Sequence, residues 1–171
     1  MKLRIVGTLV LCTGIAVSVG LASAASKTNE ASKSNHATHI INPEDLKWAP
    51  APPSLPSGAE AAILDGDMSK KGSEFTIRLR MPEGYKIQAH FHPKDEHVTV
   101  LSGSLYMGIG DKLDESAAQE IKAGGFHAIP QGVHHYAFTK GPVTIEVHGV
   151  GAWGITYVNP ADDPRKKGAA K

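Results

Sequence analysis

The sequence is almost without cysteine. Its single thiol, Cys12, sits inside an uncharged N-terminal apolar run, Ile5 to Leu21, and none follows. That absence excludes disulfide staples, cysteine nucleophiles and thiolate metal ligands from the rest of the chain. Charge of one sign is not in excess either: Lys and Arg number 18 against 17 Asp and Glu. There is then no basic field to draw in nucleic acid or anionic lipid. Convincing amphipathic helices are lacking, as are a phosphate-binding loop, a nucleotide fingerprint and a Ser-His-Asp set.

The N-terminal run itself carries information. Lys2 and Arg4 precede it and the small residues Ala22-Ser23-Ala24 end it. This is the pattern of a secretory signal peptide over residues 1–24, with cleavage expected after Ala24. Gly7, Gly14, Gly20 and the short length argue against a membrane span, and Leu11 ahead of Cys12 does not suit a lipoprotein acylation site. Removing residues 1–24 would leave 16 basic against 17 acidic residues, a net charge of −1. The expected protein is periplasmic or secreted, a setting in which an idle thiol is a liability. Residues 25–44 are polar and read as a flexible linker, with His36 and His39 as solvated side chains. Residues 45–160 have the length of one ordinary domain, and the charged, Ala-rich residues 161–171 read as a frayed tail.

Within the domain, four prolines between Ala49 and Gly58 exclude a helix and point to an extended arm anchored by Trp48. Phe75, Ile77 and Leu79 then alternate with Thr76, Arg78 and Arg80, the period of a strand with one buried face. Further strands are expected over Phe126 to Ile129, His135 to Thr139, Val143 to Val150 and Gly154 to Val158, with Asp111 to Ala123 as a polar loop. Short strands separated by Gly and Pro argue for an all-β barrel or sandwich.

The chain is organised around Gly84 to Gly103, GYKIQAHFHPKDEHVTVLSG. His90 and His92 are two apart, so on an extended strand both imidazoles leave one face. Pro93-Lys94-Asp95 reads as a turn that delivers Glu96 at the start of the next strand, with Val98 and Val100 sharing its inward face and His97 and Thr99 outward. A second stretch, Gly124 to His135, adds a third imidazole after the turn at Pro130 and Gly132. His90, His92, Glu96 and His135 form a candidate N3O ligand set for a divalent first-row metal, and ligand type does not separate Fe, Mn, Ni, Cu and Zn.

These stretches resemble the two motifs of the cupin superfamily. Gly84, His90, His92, Glu96 and Gly103 fill every fixed position of the first motif; Gly124, Pro130, Gly132 and His135 fill the second up to its last place, where this chain has Thr139 in place of Asn. The resemblance runs from about Trp48 to Pro160. It implies a single double-stranded β-helix, or jelly-roll, barrel with one metal bound inside by His90, His92, Glu96 and His135. It also implies a homodimer and a small organic ligand, and it is similar to the cupin domain found in some anti-sigma factors. Cupins include dioxygenases, decarboxylases, isomerases, lyases, sensors and storage proteins, so the fold alone does not choose a function.

Two functions stay open on these residues. One is dioxygenase-like or related metal-dependent chemistry, with Glu96 as ligand and proton acceptor and His148 as a second acid/base candidate if the polar face Thr144-Glu146-His148 lines the barrel. The other is a non-catalytic metal or small-ligand binding or sensing module. His127 shares strand parity with Ile129 and is a candidate for a place near the metal. Tyr106, Tyr136, Phe138 and Trp153 read as packing.

Overall fold

The computed structural model describes residues 38–167, so the signal-peptide reading and most of the linker lie outside the described residues. Eleven strands follow in order: β1 (Ala49–Pro50), β2 (Glu60–Gly66), β3 (Glu74–Met81), β4 (Lys86–Phe91), β5 (Glu96–Ser102), β6 (Ser104–Ile109), β7 (Gln119–Lys122), β8 (Phe126–Ile129), β9 (His135–Thr139), β10 (Val143–Val150) and β11 (Thr156–Tyr157). They form two antiparallel sheets, β1-β2-β3-β10-β5-β8 and β11-β4-β9-β6-β7. The architecture is the expected all-β jelly roll.

Alternation decides which side chains meet between the sheets. Phe75, Ile77, Leu79 and Met81 of β3 point inward, as do Val98 and Val100 of β5 and Val143, Ile145 and Val147 of β10. The second sheet contributes Ile87, Leu105, Met107 and Ala137. Fully burying a side chain of valine size stabilises the fold by about 1.5–3 kcal/mol relative to exposure, so these rows fix the strand register. A slip of one residue would turn every one of them outward.

Turns complete the frame. Gly103 joins β5 to β6 at φ +74°, and a Cβ there would overlap the Pro142 carbonyl oxygen, so glycine is required on both counts. The proline-rich arm is extended only at β1, which pairs with β2; beyond it the chain turns, with the Leu55 N–H donating to the Pro52 carbonyl at 2.9 Å. It is held to the barrel where Tyr157 Oη donates to the Ser54 carbonyl at 2.8 Å and Tyr85 Oη donates to the Pro56 carbonyl. Trp48 is half-buried beneath the Arg80 guanidinium, 4.4 Å from the ring centroid.

The structure departs from the sequence reading elsewhere too: the last strand, expected over Gly154 to Val158, is only Thr156–Tyr157. The polar tract Asp111 to Ala123 contains strand β7, an edge strand whose Gln119, Glu120 and Lys122 are exposed and whose only apolar member is Ile121. The linker expected to run to residue 44 gives way to a 3-10 turn at Pro43–Asp45, where Asp45 Oδ2 accepts from the Asn42 N–H at 3.1 Å. The tail expected to fray is ordered as far as Lys167, through a 3-10 turn at Pro160–Asp162 and a helical turn at Pro164–Lys167. Asp163, 8% exposed, accepts from the Arg165 guanidinium at 2.8 Å, and Arg165 Nη2 donates to the Ile155 carbonyl at 3.2 Å. That pairing overrides the local composition.

Candidate metal centre

The site grows from two turns clamped together. The Gly132 N–H donates to the His92 carbonyl at 3.0 Å, and the Gln131 N–H donates to Asp95 Oδ1 at 2.7 Å. The clamp holds the ends of β4, β5 and β9 side by side, with His90 directly opposite His135 and Glu96 opposite Ile129. Alternation then does the rest: His90 and His92 point inward, while Phe91 between them faces outward and stacks on His134.

His90, His92 and His135 are 4%, 4% and 1% exposed, and their candidate ligand atoms lie within 4.8 Å of one another. Glu96, 7% exposed, brings Oε2 to 3.4 Å from His92 Nε2 and 3.3 Å from His135 Nε2. The structure thus brings together all four residues singled out in the sequence.

The tautomers follow from the other ring nitrogens. Nδ1 of His90 meets the Gln88 carbonyl at 2.7 Å, Nδ1 of His92 the Gly154 carbonyl at 2.7 Å, and Nδ1 of His135 the Val133 carbonyl at 2.9 Å. A carbonyl oxygen only accepts, so each Nδ1 carries a proton and Nε2 is the ring nitrogen left to face the cluster. His92 Nε2 and His135 Nε2 are buried with no hydrogen-bond partner among the described residues. Two otherwise unpartnered ring nitrogens facing a carboxylate oxygen at 3.3–3.4 Å call for a cation or a proton between them. Carbonyl-oriented imidazoles are also the usual second layer of a histidine metal site. This donor set fits a divalent metal.

Electrostatics agree. Burial first, and then the neighbouring His135 and His92, push His90 from 6.5 down to about 3, so it is neutral at ordinary pH. Burial alone would raise the Glu96 carboxyl, but His135 and His92 beside it outweigh that effect and hold it below the usual carboxylate range. The site is therefore a buried carboxylate set among three buried imidazoles.

Other candidates fall elsewhere. His148 is corrected: the apolar face of β10 lines the interior, so Thr144, Glu146 and His148 look out of the barrel. His148 contacts Thr76 Oγ1 at 3.3 Å and Glu146 Oε1 at 3.1 Å on that outer face, away from the centre. His127 does share the inward side, paired with Val98, and burial followed by the charge of His135 lowers its pKa. It borders a separate cavity with Met107, Gly108 and Phe126 and does not reach the four-residue cluster. Tyr106 and Phe138 stack on each other, and Tyr136 Oη donates to the Asp114 carbonyl at 2.8 Å, all in packing roles.

Trp153, read from the sequence as packing, stands at the site. Its ring lies 4.1 Å from that of His92 at 13°, and it also packs on Phe75. It stands in a glycine-flanked loop without periodicity, which leaves no pattern signal for such a role. Behind the cluster opens a cavity of ≈ 530 Å³ bordered by Trp153, all four cluster residues and the inward aliphatic rows. That volume lies within the range of small-molecule sites.

Comparisons with known proteins agree with this geometry. A profile for the ChrR cupin-like domain matches residues 36–148. No curated protein sequence matches the chain. Among solved structures, the polyketide cyclase RemF from Streptomyces resistomycificus superposes with TM-score 0.62 at 17% identity, over 78% of this chain and 94% of that one. A candidate acetylacetone dioxygenase from Methylibium petroleiphilum gives TM-score 0.58 at 18% identity, over 77% of this chain and 88% of the other. An RmlC-like cupin from Shewanella frigidimarina gives 0.53 at 15%, over 68% and 93%. At such identities the superpositions speak for the fold alone. Two motifs, a jelly roll carrying them, and a family profile covering most of the chain lead to one assignment: the protein belongs to the ChrR cupin-like family of cupins.

Proposed function

We propose that this is an exported cupin that binds one divalent first-row transition metal through His90, His92, Glu96 and His135 and acts on a small organic molecule held at that metal. The observation that carries the reading is the three buried imidazoles whose Nδ1 protons are committed to backbone carbonyls, leaving Nε2 atoms converging beside a buried carboxylate. When bound, the ion would supply Lewis-acid polarisation of a ligand oxygen. The chain does the remainder. Glu96 offsets part of the cation's charge and is the nearest group to accept a proton from the ligand. Trp153, stacked on His92, holds that ring in its plane, and the apolar chamber keeps water from the reacting atoms.

Dioxygenase-like or related metal-dependent chemistry on an organic substrate is supported by analogy with the folds of the polyketide cyclase and the acetylacetone dioxygenase candidate. A second reading, a non-catalytic binding or sensing module, is favoured by the chain's resemblance to the cupin domain found in some anti-sigma factors. An oxygen-electrode screen of metal-loaded protein with diketones, enediols and phenolics separates the two. Oxygen uptake that Glu96→Gln abolishes supports the enzyme; tight binding without turnover supports the sensor.

Export and dimerisation complete the proposal. N-terminal sequencing of protein from the periplasm or medium should begin after Ala24, and an intact Met1 there would overturn export. Exposed Ile109 and Phe126, which border one surface cavity, support a homodimer, which sedimentation of the purified protein should detect; a monomer at high concentration would remove it.

A further inference from the structure

The cavity beside the metal centre is far larger than an ion requires. At ≈ 530 Å³ it runs along the strands away from the four ligands. Its wall is built in rungs: Val98, Val147 and Ile77 face one another across β5, β10 and β3, and Ile145 with Leu79 forms the next rung. Two residues of strand separate those rungs, or about 7 Å. Leu105 of the opposite sheet closes the far side. This wall is aliphatic throughout and offers no hydrogen bond.

The charged and polar groups that border the cavity apart from the cluster are few. Ser54, Asp67, Ser69 and Arg165 stand among them. Arg165 is the only cation that lines it among the described residues, and its guanidinium is already engaged by Asp163 at 2.8 Å and by the Ile155 carbonyl at 3.2 Å. A compact dianion, or a sugar nucleotide, would need free donors or cations at its far end, since a buried unpaired charge is strongly disfavoured. The aliphatic wall away from the metal supplies neither; the unpaired buried donor that borders the cavity, Trp153 Nε1, belongs to the ring stacked on His92 at the metal end. A hydrocarbon body gains from entering it, because apolar surface leaves water against a preformed apolar wall.

We infer that the ligand of this site is amphipathic: an oxygen-donor head that chelates the metal, joined to an uncharged, hydrocarbon-rich body that fills the chamber lined by Ile77, Leu79, Val98, Leu105, Ile145 and Val147. The inference rests on the metal-centre reading above, and names the class of molecule that site takes. Specificity then divides between two regions, the head set by the four ligands and the body by the length of the aliphatic rungs.

The test is calorimetric titration of zinc-loaded protein with straight-chain alkyl hydroxamates, from acetohydroxamate to octanohydroxamate, with oxalate for comparison. Affinity should rise about fourfold with each methylene until the chamber is full, with an increasingly negative heat-capacity change. Ile145→Phe should end that rise at a shorter chain while zinc stoichiometry stays the same; if that variant does not fold, the wild-type series decides alone. Equal affinity along the series, or oxalate binding more tightly than octanohydroxamate, overturns the ligand class. Acetohydroxamate binding to zinc-loaded and not to metal-free protein reports on the metal centre separately. Failure of zinc itself to bind removes that centre, and this inference with it.

Discussion

Acid should destabilise the metal-free protein through His90 in a way that can be worked out from its surroundings. The imidazole is 4% exposed and sits between two other rings, with centroids 5.0 Å and 4.2 Å away. Burial and those neighbours hold it at about 3, against 6.5 for a free histidine. The unfolded chain therefore takes up a proton near pH 6.5, while the fold refuses it until near pH 3. A neutral buried histidine contributes its full stability above 6.5, and that contribution is lost as pH falls toward 3. Linkage gives about 1.4 kcal/mol for each pH unit in that window. Between pH 7.5 and 5 the loss assigned to His90 is thus about 2 kcal/mol. Urea unfolding followed by circular dichroism at pH 7.5, 6 and 5 measures it, provided the slope with denaturant stays constant. His90→Gln retains an amide donor for the Gln88 carbonyl but does not titrate, so its stability should fall less over the same range by about 2 kcal/mol. Parallel curves for the two proteins would refute the assignment.

Two further perturbations separate neighbouring roles. Glu96→Gln keeps an oxygen ligand but removes the anion between His92 and His135, so metal affinity in equilibrium dialysis should fall at least tenfold. Asp95→Asn keeps an acceptor for the Gln131 N–H, and His97→Gln alters an outward ring stacked on Phe126; neither should change affinity by more than a few-fold. Loss of metal in His97→Gln with retention in Glu96→Gln would mean a register wrong by one residue. Thr139→Val removes a buried hydroxyl that accepts from the Tyr85 N–H at 2.9 Å and donates to the Pro82 carbonyl at 2.6 Å. Leaving both groups unpaired should cost about 2–4 kcal/mol in denaturant unfolding, and a loss below about 1 kcal/mol would show that those bonds are not what holds the turn.

What could be read in the sequence was whatever alternation and turn chemistry encode. Pro93 forces a break, so Glu96 begins β5 as expected, and Val98 and Val100 follow it inward. β8, β9 and β10 run between the residues expected for them, because Gly and Pro bracket each. The face of β10 was ambiguous on sequence alone, since Thr144-Glu146-His148 and Val143-Ile145-Val147 alternate equally well. Burial of the valines places His148 outside. Strand β7 was invisible because an exposed edge needs no apolar repeat. The order of the tail depends on Arg165 reaching the Ile155 carbonyl, a contact ten residues back in the chain that no local pattern records. The Trp153 stack, the Gly154 carbonyl that meets His92 and the aliphatic chamber arise from residues far apart in the chain, so they appear only once the sheets face each other, whereas the carbonyls that meet His90 and His135 lie two residues back in the chain.

The most direct test of the metal centre is elemental analysis of the protein recovered from its native compartment, set beside the triple variant His90→Ala, His92→Ala, His135→Ala. The account predicts close to one divalent first-row ion per chain in the wild type and none held by the variant, whose Nε2 donors are gone. Full occupancy in the triple variant, or a wild-type protein that neither carries nor takes up such an ion, would contradict it.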